Sequence, residues 1–525
     1  MLPITYKKAF FEIPWLMADW LNANNNIIMA RQKNIFITGA TDGIGRALAI
    51  NYRAKGQQVW MLGRKPLTEL DQSFYTPSNY VQADLALPNA AERVRQFLAT
   101  QPVRYLDLFI HNAGIGYYGA AAVQEPQNIH DMLAVNLYAP IALTHAIWPW
   151  VGVVDGKFVF ISSVMSGLPG PDYAVYTATK AALEGFARSL RAESHQHVGV
   201  QIIRPGATHT GMHAKMGISQ AEMQWQDFPS APKVANTITK AIASSRPAVT
   251  IGRSNKLFYL AGRRTKPLLD NRMRQSQASV EPDGPPAGKG RQWCVVTGAA
   301  AGIGKALVRR FSAEGFGVVG VDMDAQQIAL TQDEFAVANS RVHMIQADVT
   351  TEAGRQAVVA AIQPFAPLAV FIHNAGINYV GSFPQTQLPR QQAVMDVNLE
   401  APLMMTALLL RQRLLTDRGT FVFMASLSNY VSYPGAAVYA ATKDGIAAYA
   451  RSLRVAMGAR RNVLTVYPGP TRTAHARRYS PDNSREAACM PPEELAAGVY
   501  TAFKKRQQTF IPGIINRLFA TVGEI

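Results

Sequence analysis

The sequence has little cysteine, no long basic run and no long apolar run, and each absence excludes a class of protein. Two cysteines, Cys294 and Cys489, cannot form a disulfide framework, so we expect a reducing, cytoplasmic location. The formal charge is +17 but no zinc-finger spacing accompanies it, so we expect neither a nucleic-acid partner nor a metal site. No uninterrupted apolar run reaches the roughly 18 residues that a membrane span needs.

What is present indicates a globular protein of several domains. A chain of 525 residues with 48% hydrophobic and 17% charged residues is too long for one core and too apolar for disorder. The excess of positive charge favours an anionic partner, for example nucleotide phosphates, an acidic substrate or a membrane surface.

The first residues, 1–33, are predicted to be an N-terminal extension. Within them, Met1–Asn26 carries an aromatic-rich apolar cluster behind Lys7 and Lys8, and no small-residue cleavage site follows. Three interpretations stay open. The segment is a short interfacial helix that makes peripheral contact with a membrane, a segment that packs on the protein, or an upstream extension ahead of a start at Met29.

A glycine-rich stretch, Ile35–Gly45, organises the first half of the chain. An apolar run leads into Gly39, Gly43 and Gly45 and then into a helical pattern, which predicts a strand, a tight turn and a helix N-terminus. A diphosphate can approach such a turn because its glycines lack side chains and the helix N-terminus favours anions. The stretch recurs at Cys294–Gly304, with its glycines at Gly298, Gly302 and Gly304.

The whole first half recurs in the second half, with an offset of 259 to 263 residues. Apolar strands alternate with amphipathic helices, which predicts a parallel sheet covered on both faces. The predicted strands of the first half are 35–38, 59–62, 79–82, 106–111, 158–162, 200–204 and 248–251. Between the halves, Arg263–Gly290 is rich in polar residues, proline and glycine and has little periodicity. We therefore predict an extension (1–33), a first domain (34–262), a linker (263–290) and a second domain (291–525).

Further motifs follow in the same order in both halves. The first half has Asp84, Asn112-Ala-Gly114, Asn136, Ser163 and Tyr176-Thr-Ala-Thr-Lys180, and the second has Asp348, Asn374-Ala-Gly376, Asn398, Ser426 and Tyr439-Ala-Ala-Thr-Lys443. With these motifs, both halves resemble short-chain dehydrogenases/reductases of the compact type, over about 34–255 and 292–515. The resemblance implies an α/β fold of two Rossmann-like, doubly wound parallel-sheet domains in tandem. It also implies an NAD(P)-dependent oxidoreductase that transfers hydride between the cofactor and a small carbonyl or secondary alcohol.

The resemblance assigns a catalytic set to each half. Tyr176 and Lys180 lie four residues apart, hence on one face of a helix. A lysine cation about 4 Å away favours the phenolate, so we expect it to move the tyrosine pKa from about 10 towards neutrality. Ser163 would hydrogen-bond the substrate oxygen, and Asn136 would anchor the lysine through water. The second set is Asn398, Ser426, Tyr439 and Lys443.

The cofactor-binding positions carry over in the same way. They are Gly39, Thr41, Gly43, Ile44, Gly45, Arg64, Asp84, Asn112, Tyr176 and Lys180 in the first half, and Gly298, Gly302, Ile303, Gly304, Asp322, Asp348, Asn374, Tyr439 and Lys443 in the second. For Asp84 and Asp348 a simple turn is nearly as good an interpretation as a place near the adenine. Asn112 and Asn374 are expected to support the sheet edge.

The two halves differ where their second strand ends. Asp322 can accept hydrogen bonds from the adenosine ribose and repels a 2′-phosphate, which favours NAD in the second half. Gly63-Arg64-Lys65 replaces that acid with two cations, which favours NADP in the first half. A solvated basic turn is the alternative.

Three alternatives to two independent oxidoreductase sites stay open. The halves could act together as an epimerase through coupled oxidation and reduction, or one half could be a structural partner of an active one, or a nucleotide-sensing partner. The substrate loops differ, because 208–232 is rich in methionine and aromatic residues whereas 471–492 is rich in arginine. Compact relatives pair through two long helices, here about 128–150 and 174–195, matched by 391–415 and 437–458. We therefore expect the halves to dock as an intramolecular pseudo-dimer through four helices.

Overall fold

The computed structural model describes residues 31–194, 198–218, 224, 227–276, 281–286, 290, 292–337, 341–479, 484 and 486–523. Met1–Asn26, with its proposed membrane contact, lies outside the described residues. Each half contains a seven-stranded parallel sheet, ordered β3-β2-β1-β4-β5-β6-β7 in the first and β10-β9-β8-β11-β12-β13-β14 in the second. The strands are β1 Asn34–Thr38, β2 Gln58–Gly63, β3 Tyr80–Gln82, β4 Leu108–His111, β5 Lys157–Ile161, β6 Gly199–Arg204, β7 Ala248–Thr250, β8 Trp293–Thr297, β9 Gly317–Asp322, β10 Val342–Gln346, β11 Leu368–His373, β12 Leu415–Met424, β13 Asn462–Val466 and β14 Thr509–Phe510.

Helices connect the strands and cover both faces of each sheet, as the alternating pattern predicts. The α-helices of the first half are α1 Gly43–Ala54, α2 Ala90–Thr100, α3 Pro126–Leu133, α4 Ala139–Gly152, α5 Ala174–Ser194, α6 Met212–Lys215, α7 Ala231–Ile242, α8 Arg253–Arg264 and α9 Lys266–Ser276. Those of the second half are α10 Gly302–Ala313, α11 Ala325–Val337, α12 Glu352–Ile362, α13 Leu388–Met395, α14 Ala401–Arg411, α15 Ala437–Ala456, α16 Ala474–Tyr479, α17 Pro492–Lys504 and α18 Ile514–Gly523. The α/β prediction with two doubly wound sheets is confirmed.

The strands form where apolar residues run without interruption, because a sheet covered on both faces buries every side chain of its central strands. Phe36 on β1 and Phe109 on β4 are fully buried and their rings stack with centroids 4.9 Å apart. At the carboxyl end of β1 the chain turns, and Asp42 caps α1 by accepting a hydrogen bond from the Gly43 backbone N–H. The sheet therefore presents the glycine turn at its carboxyl edge, where open α/β sheets bind ligands.

One continuous helical stretch among the described residues, Leu388–Arg411, is long and apolar enough to cross a membrane by length and composition. Most of this stretch is buried inside the protein. It comprises α13, a π-helical turn at Asp396–Glu400 and α14, and it packs in the main core. Burial of this kind is what the core helix of an α/β domain requires.

The predicted linker is not extended throughout. Its first two residues end α8, and Lys266–Ser276 forms α9. Asp270 on α9 contacts the second half, where Arg451 donates to both of its carboxylate oxygens at 2.7–3.0 Å. Farther along α9, Arg274 donates to the Gly458 carbonyl at 2.8 Å. The segment lacks a strong apolar period because these contacts are polar, so the sequence pattern alone did not show the helix. The predicted domain limits stay a prediction.

The two halves dock through helices α5 and α15, which carry the two tyrosine–lysine motifs. Small residues let the helices approach closely, since a Cβ added at Gly445 would lie 3.1 Å from Cβ of Ala182. Arg188 on α5 forms an ion pair with the buried carboxylate of Asp444 on α15. The predicted contact between 174–195 and 437–458 of the same chain is confirmed.

A second pair of long helical stretches completes the interface. One is 126–152, which comprises α3, a π-helical turn and α4, and the other is Leu388–Arg411. Glu400 of the second half accepts hydrogen bonds from His130 at 2.9 Å and from the Tyr138 hydroxyl at 2.8 Å. On α14, Arg411 donates to the carbonyl oxygens of Ala122 and Gln124. Four helices therefore hold the halves together, and the expected intramolecular pseudo-dimer is present.

Candidate active sites

A serine and a tyrosine meet at the carboxyl edge of each sheet. Ser163 follows β5 and caps a short 3-10 turn, while Tyr176 lies in the first turn of α5, and the Ser163 side chain is close enough to lower the pKa of the Tyr176 hydroxyl. Ser426 and Tyr439 form the corresponding pair in the second half. The structure thus brings together residues thirteen positions apart, in both halves.

A buried lysine lies one helical turn beyond each tyrosine. Lys180 Nζ donates to the Ile161 carbonyl at 3.3 Å and lies 5.7 Å from the centroid of the Tyr176 ring. Lys443 Nζ donates to the Met424 carbonyl at 2.9 Å and lies 5.5 Å from the Tyr439 ring centroid. Each ammonium is therefore tethered to the last residue of the strand that leads to its serine.

An asparagine in a π-helical turn completes each set. Asn136 donates to the Ile115 carbonyl at 2.8 Å and accepts from the Ile115 N–H at 2.9 Å. A Cβ built at Gly114 would lie 3.3 Å from Asn136 Oδ1 and 3.1 Å from Lys180 Nζ, so both polar atoms border the same small space. The second half repeats this arrangement with Asn398 and Lys443 around Gly376, at 3.2 and 3.6 Å. Turns of this π type occur frequently at functional sites.

The expected lowering of the tyrosine pKa is not found, and this is a correction. Burial raises the pKa of Tyr176 and of Tyr439 to about 12, and the serine hydrogen bond offsets only part of the rise. Burial also lowers the pKa of Lys180 and of Lys443 to about 8. The prediction treated the lysine as a full charge close to the hydroxyl, whereas desolvation acts on both groups and dominates.

The glycine turn fits a dinucleotide, although its three glycines serve different purposes. Gly43 has φ of +52°, a left-handed conformation that favours glycine, and the first N–H groups of α1, at Ile44 for example, have no partner inside the helix. A Cβ at Gly39 would lie 2.8 Å from Cα of Ala113, and a Cβ at Gly45 would overlap the Gly39 carbonyl. Gly298, Gly302, Ile303 and Gly304 repeat this arrangement.

The two sites differ structurally at the end of the second strand. Asp322 accepts hydrogen bonds from the backbone N–H groups of Ala300 at 2.9 Å and Met323 at 2.8 Å. In the first half the place of that carboxylate is filled, because a Cβ at Gly63 would overlap Thr41 Cγ2 and approach the Tyr80 hydroxyl at 3.0 Å. Thr41 stands at the position of Ala300, and Gly63 stands at the position of Asp322. The two differences go together, because the Thr41 side chain fills the space that a side chain at residue 63 would need.

Comparison with known proteins identifies this arrangement. The family model described as short chain dehydrogenase matches residues 33–221 and again 292–484. The chain belongs to the short-chain dehydrogenase family. It is an NAD(P)-dependent oxidoreductase, and its duplicated domains are both short-chain dehydrogenase domains.

Similar proteins include the bovine Dehydrogenase/reductase SDR family member 7B, which is 34% identical over 210 residues, covering 37% of this chain and 63% of the bovine protein. The Escherichia coli K12 protein named Uncharacterized oxidoreductase YciK is 34% identical over 190 residues, covering 34% of this chain and 75% of its own length. Among solved structures, a short-chain dehydrogenase from Shigella flexneri complexed with NADP is 27% identical, with a TM-score of 0.38, and the match covers 42% of this chain and 95% of that one.

Four further predicted residues of the short-chain dehydrogenase domains lie in structural positions. Asn112 Nδ2 donates to the Thr38 carbonyl at 3.0 Å and Asn374 Nδ2 to the Thr297 carbonyl at 2.9 Å, so both tie the fourth strand of each sheet to the glycine turn. The carboxylate of Asp84 accepts from the Ala86 N–H, and that of Asp348 accepts from Thr350. The cofactor role predicted for these four residues stays a prediction.

The described first part of the loop beyond the sixth strand, 205–218, lies beside the first short-chain dehydrogenase site. Met216 lies against Gly116, where a Cβ would be 3.3 Å from a Tyr176 ring carbon. Lys215 pairs with Asp42 of the glycine turn at 2.8 Å. In the second domain, Arg477 forms an ion pair with Glu486 of the same loop at 2.9 Å. Glu486 therefore competes with an anionic substrate for the Arg477 guanidinium.

One functional position was missed by the sequence analysis. Thr179 Oγ1 accepts a hydrogen bond from Asn136 Nδ2 at 3.0 Å and donates to the Tyr176 carbonyl, linking the asparagine to the tyrosine helix. Thr442 does the same with Asn398 at 3.3 Å. The signal was present, because a threonine precedes the motif lysine in both halves, whereas the residue that follows the tyrosine differs.

Proposed function

We propose that each domain is a catalytic site that interconverts a secondary alcohol and a carbonyl compound. The observation that carries this proposal is the complete set of serine, tyrosine, lysine and asparagine, assembled with the same contacts in both domains. A half that had become a structural or sensing partner would have no need to keep the buried lysine, since burying a charge costs stability.

The tyrosine is the proton donor in the direction of reduction. With a pKa of about 12, the hydroxyl of Tyr176 stays protonated at neutral pH and can donate to a carbonyl oxygen that also accepts from Ser163. Lys180, with a pKa of about 8, is poised to replace that proton through the space it shares with Asn136. When bound, the nicotinamide cofactor supplies or accepts the hydride.

We propose NADP for the first domain and NAD for the second. Arg64 is exposed and forms no ion pair with an acidic side chain in the described part of the chain, so its guanidinium is available to a 2′-phosphate. Asp322 instead places a carboxylate at the matching position, which accepts ribose hydroxyls and repels a phosphate.

Phenylalanine variants test the catalytic proposal. Tyr176→Phe should abolish NADPH-dependent turnover of a carbonyl panel while cofactor binding stays, and Tyr439→Phe should do the same with NADH. Each single variant is the control for the other, since only one site is changed. If the double variant turns over at the wild-type rate, the proposal fails. Loss of all conversion in either single variant would instead favour the coupled, epimerase-like alternative.

Cofactor titration tests the assignment of NADP and NAD. Arg64→Ala should weaken NADP binding by about tenfold or more, because one charge-assisted contact to phosphate is lost, and should leave NAD binding to the same variant unchanged. Asp322→Asn should weaken NAD binding in the second domain and reduce its discrimination against NADP. Equal loss of both cofactors in Arg64→Ala would contradict the assignment.

A further inference from the structure

A cavity of about 150 Å³ lies between the two domains, and neither Tyr176 nor Tyr439 lines it. Its walls include the turn that follows the first catalytic serine, at Gly167, and the turn that follows the second, at Asn429 and Tyr430. Helices α5 and α15 contribute Glu184 and Asp444, one turn or less beyond the two catalytic lysines. The cavity therefore touches the structural support of both sites without being part of either.

The lining carries five cationic and three acidic side chains, and each acid is already held by an arginine. Glu184 is gripped by Arg204, with Nε–Oε1 at 2.8 Å and Nη2–Oε2 at 2.6 Å. Asp270 is gripped in the same way by Arg451, and Asp444 pairs with Arg188.

Two further arginines, Arg454 and Arg263, line the same cavity, and neither is the close partner of one of its three acids. Arg454 is buried, and its guanidinium donates to neutral oxygens of Val463, Thr465 and Gln508. Among the described residues, Arg454 pairs with the carboxylate of Asp270, which is 3.9 Å away and already held by Arg451, and burial lowers the pKa of Arg454 to about 10. Burying a cation costs stability unless an anion compensates it.

Arg263, on α8, is half-buried at the wall of the cavity. No carboxylate pairs with it among the residues that the structure describes. Its neighbour Arg264 is exposed and does not line the cavity.

We propose that this cavity binds a small oxyanion, a phosphate group or one of similar size and charge, between the two domains. Guanidinium groups are well suited to this because they present several N–H donors to a phosphate. An anion here would contact both domains at once, so it would stabilise their docking and the two serine turns at the cavity wall. The site requires no cofactor or substrate, and it holds whether or not the function proposed above is correct.

Inorganic phosphate is the probe, titrated into the full chain by calorimetry at constant ionic strength, with chloride as the comparison salt. Arg263→Gln should weaken phosphate binding by about tenfold, because a charge-assisted hydrogen bond is removed. Arg264→Gln is the matched control, since it removes the same charge one residue away, and it should bind as the wild type does. Lys266→Gln removes another lining cation and should repeat the loss.

Phosphate could also bind where the 2′-phosphate of NADP is expected, so Arg64→Gln is measured in parallel. Binding that persists in Arg64→Gln and is lost in Arg263→Gln and Lys266→Gln supports the interdomain site. Binding lost only in Arg64→Gln, equal binding in all four variants, or phosphate binding no tighter than chloride overturns the proposal.

Discussion

Replacing Lys443 by methionine should stabilise the second domain at neutral pH while removing its activity. The ammonium is buried, and burial lowers its pKa from 10.5 to about 8. At about 1.4 kcal/mol per unit, the buried charge costs the folded state about 3 kcal/mol at pH 7. Methionine has a similar length and carries no charge, so Lys443→Met avoids this cost.

The gain is partly offset by a lost hydrogen bond. Lys443 Nζ donates to the Met424 carbonyl at 2.9 Å, and losing such a bond costs about 1 kcal/mol. The net gain of about 2 kcal/mol corresponds to a rise of roughly 4–8 °C in the transition temperature of a domain of this size.

The pH dependence distinguishes this explanation from simple repacking. Below pH 8 both folded and unfolded lysine are protonated, and the folded state bears the full cost. As the pH rises from 8 towards 10.5, the folded lysine loses its proton first and the cost falls to about 1 kcal/mol at pH 10. The advantage of the variant should therefore vanish near pH 10.

Scanning calorimetry of the full chain at about pH 7 and pH 10 measures the gain in stability of the variant and its dependence on pH. Lys504→Met is the control, because Lys504 is exposed and its replacement should change the transition little at either pH. A Lys443→Met variant that is less stable than the wild type at pH 7, or whose advantage is the same at both values, would refute the reasoning.

Three other predictions concern the glycine turn and the interface between the domains. Gly304→Ala should destabilise the second domain by several kcal/mol in urea unfolding, because its Cβ would overlap a backbone carbonyl of the turn. His130→Gln should lower the melting temperature at about pH 5.5 and have little effect at about pH 9. The hydrogen bond to Glu400 raises the pKa of His130 in the folded state. The stabilisation by protonated His130 is therefore fully present below pH 6.5 and is lost as the pH rises through the folded pKa. Arg188→Ala should separate the calorimetric transitions of the two domains, since it leaves the buried carboxylate of Asp444 without its ion pair.

Much of the fold and most of the site could be predicted from the sequence, because the relevant signals are local. An apolar run that ends in glycines encodes a strand and a turn, and β1 at Asn34–Thr38 lies within one residue of its predicted place. The spacing of Tyr176 and Lys180 requires only a helix to put both on one face. Duplication strengthened each signal, since a motif that recurs in order is hard to attribute to chance.

Tertiary structure decided the electrostatics. The sequence places a lysine beside a tyrosine, but only the packed core shows that both groups are desolvated, so that burial raises the pKa of Tyr439 and lowers that of Lys443. It also decided that the polar segment after residue 263 contains a helix, since α9 is held by ion pairs and hydrogen bonds to residues more than 180 positions away. Contacts across such distances leave no periodic pattern in the sequence, because they depend on how the two domains pack against each other.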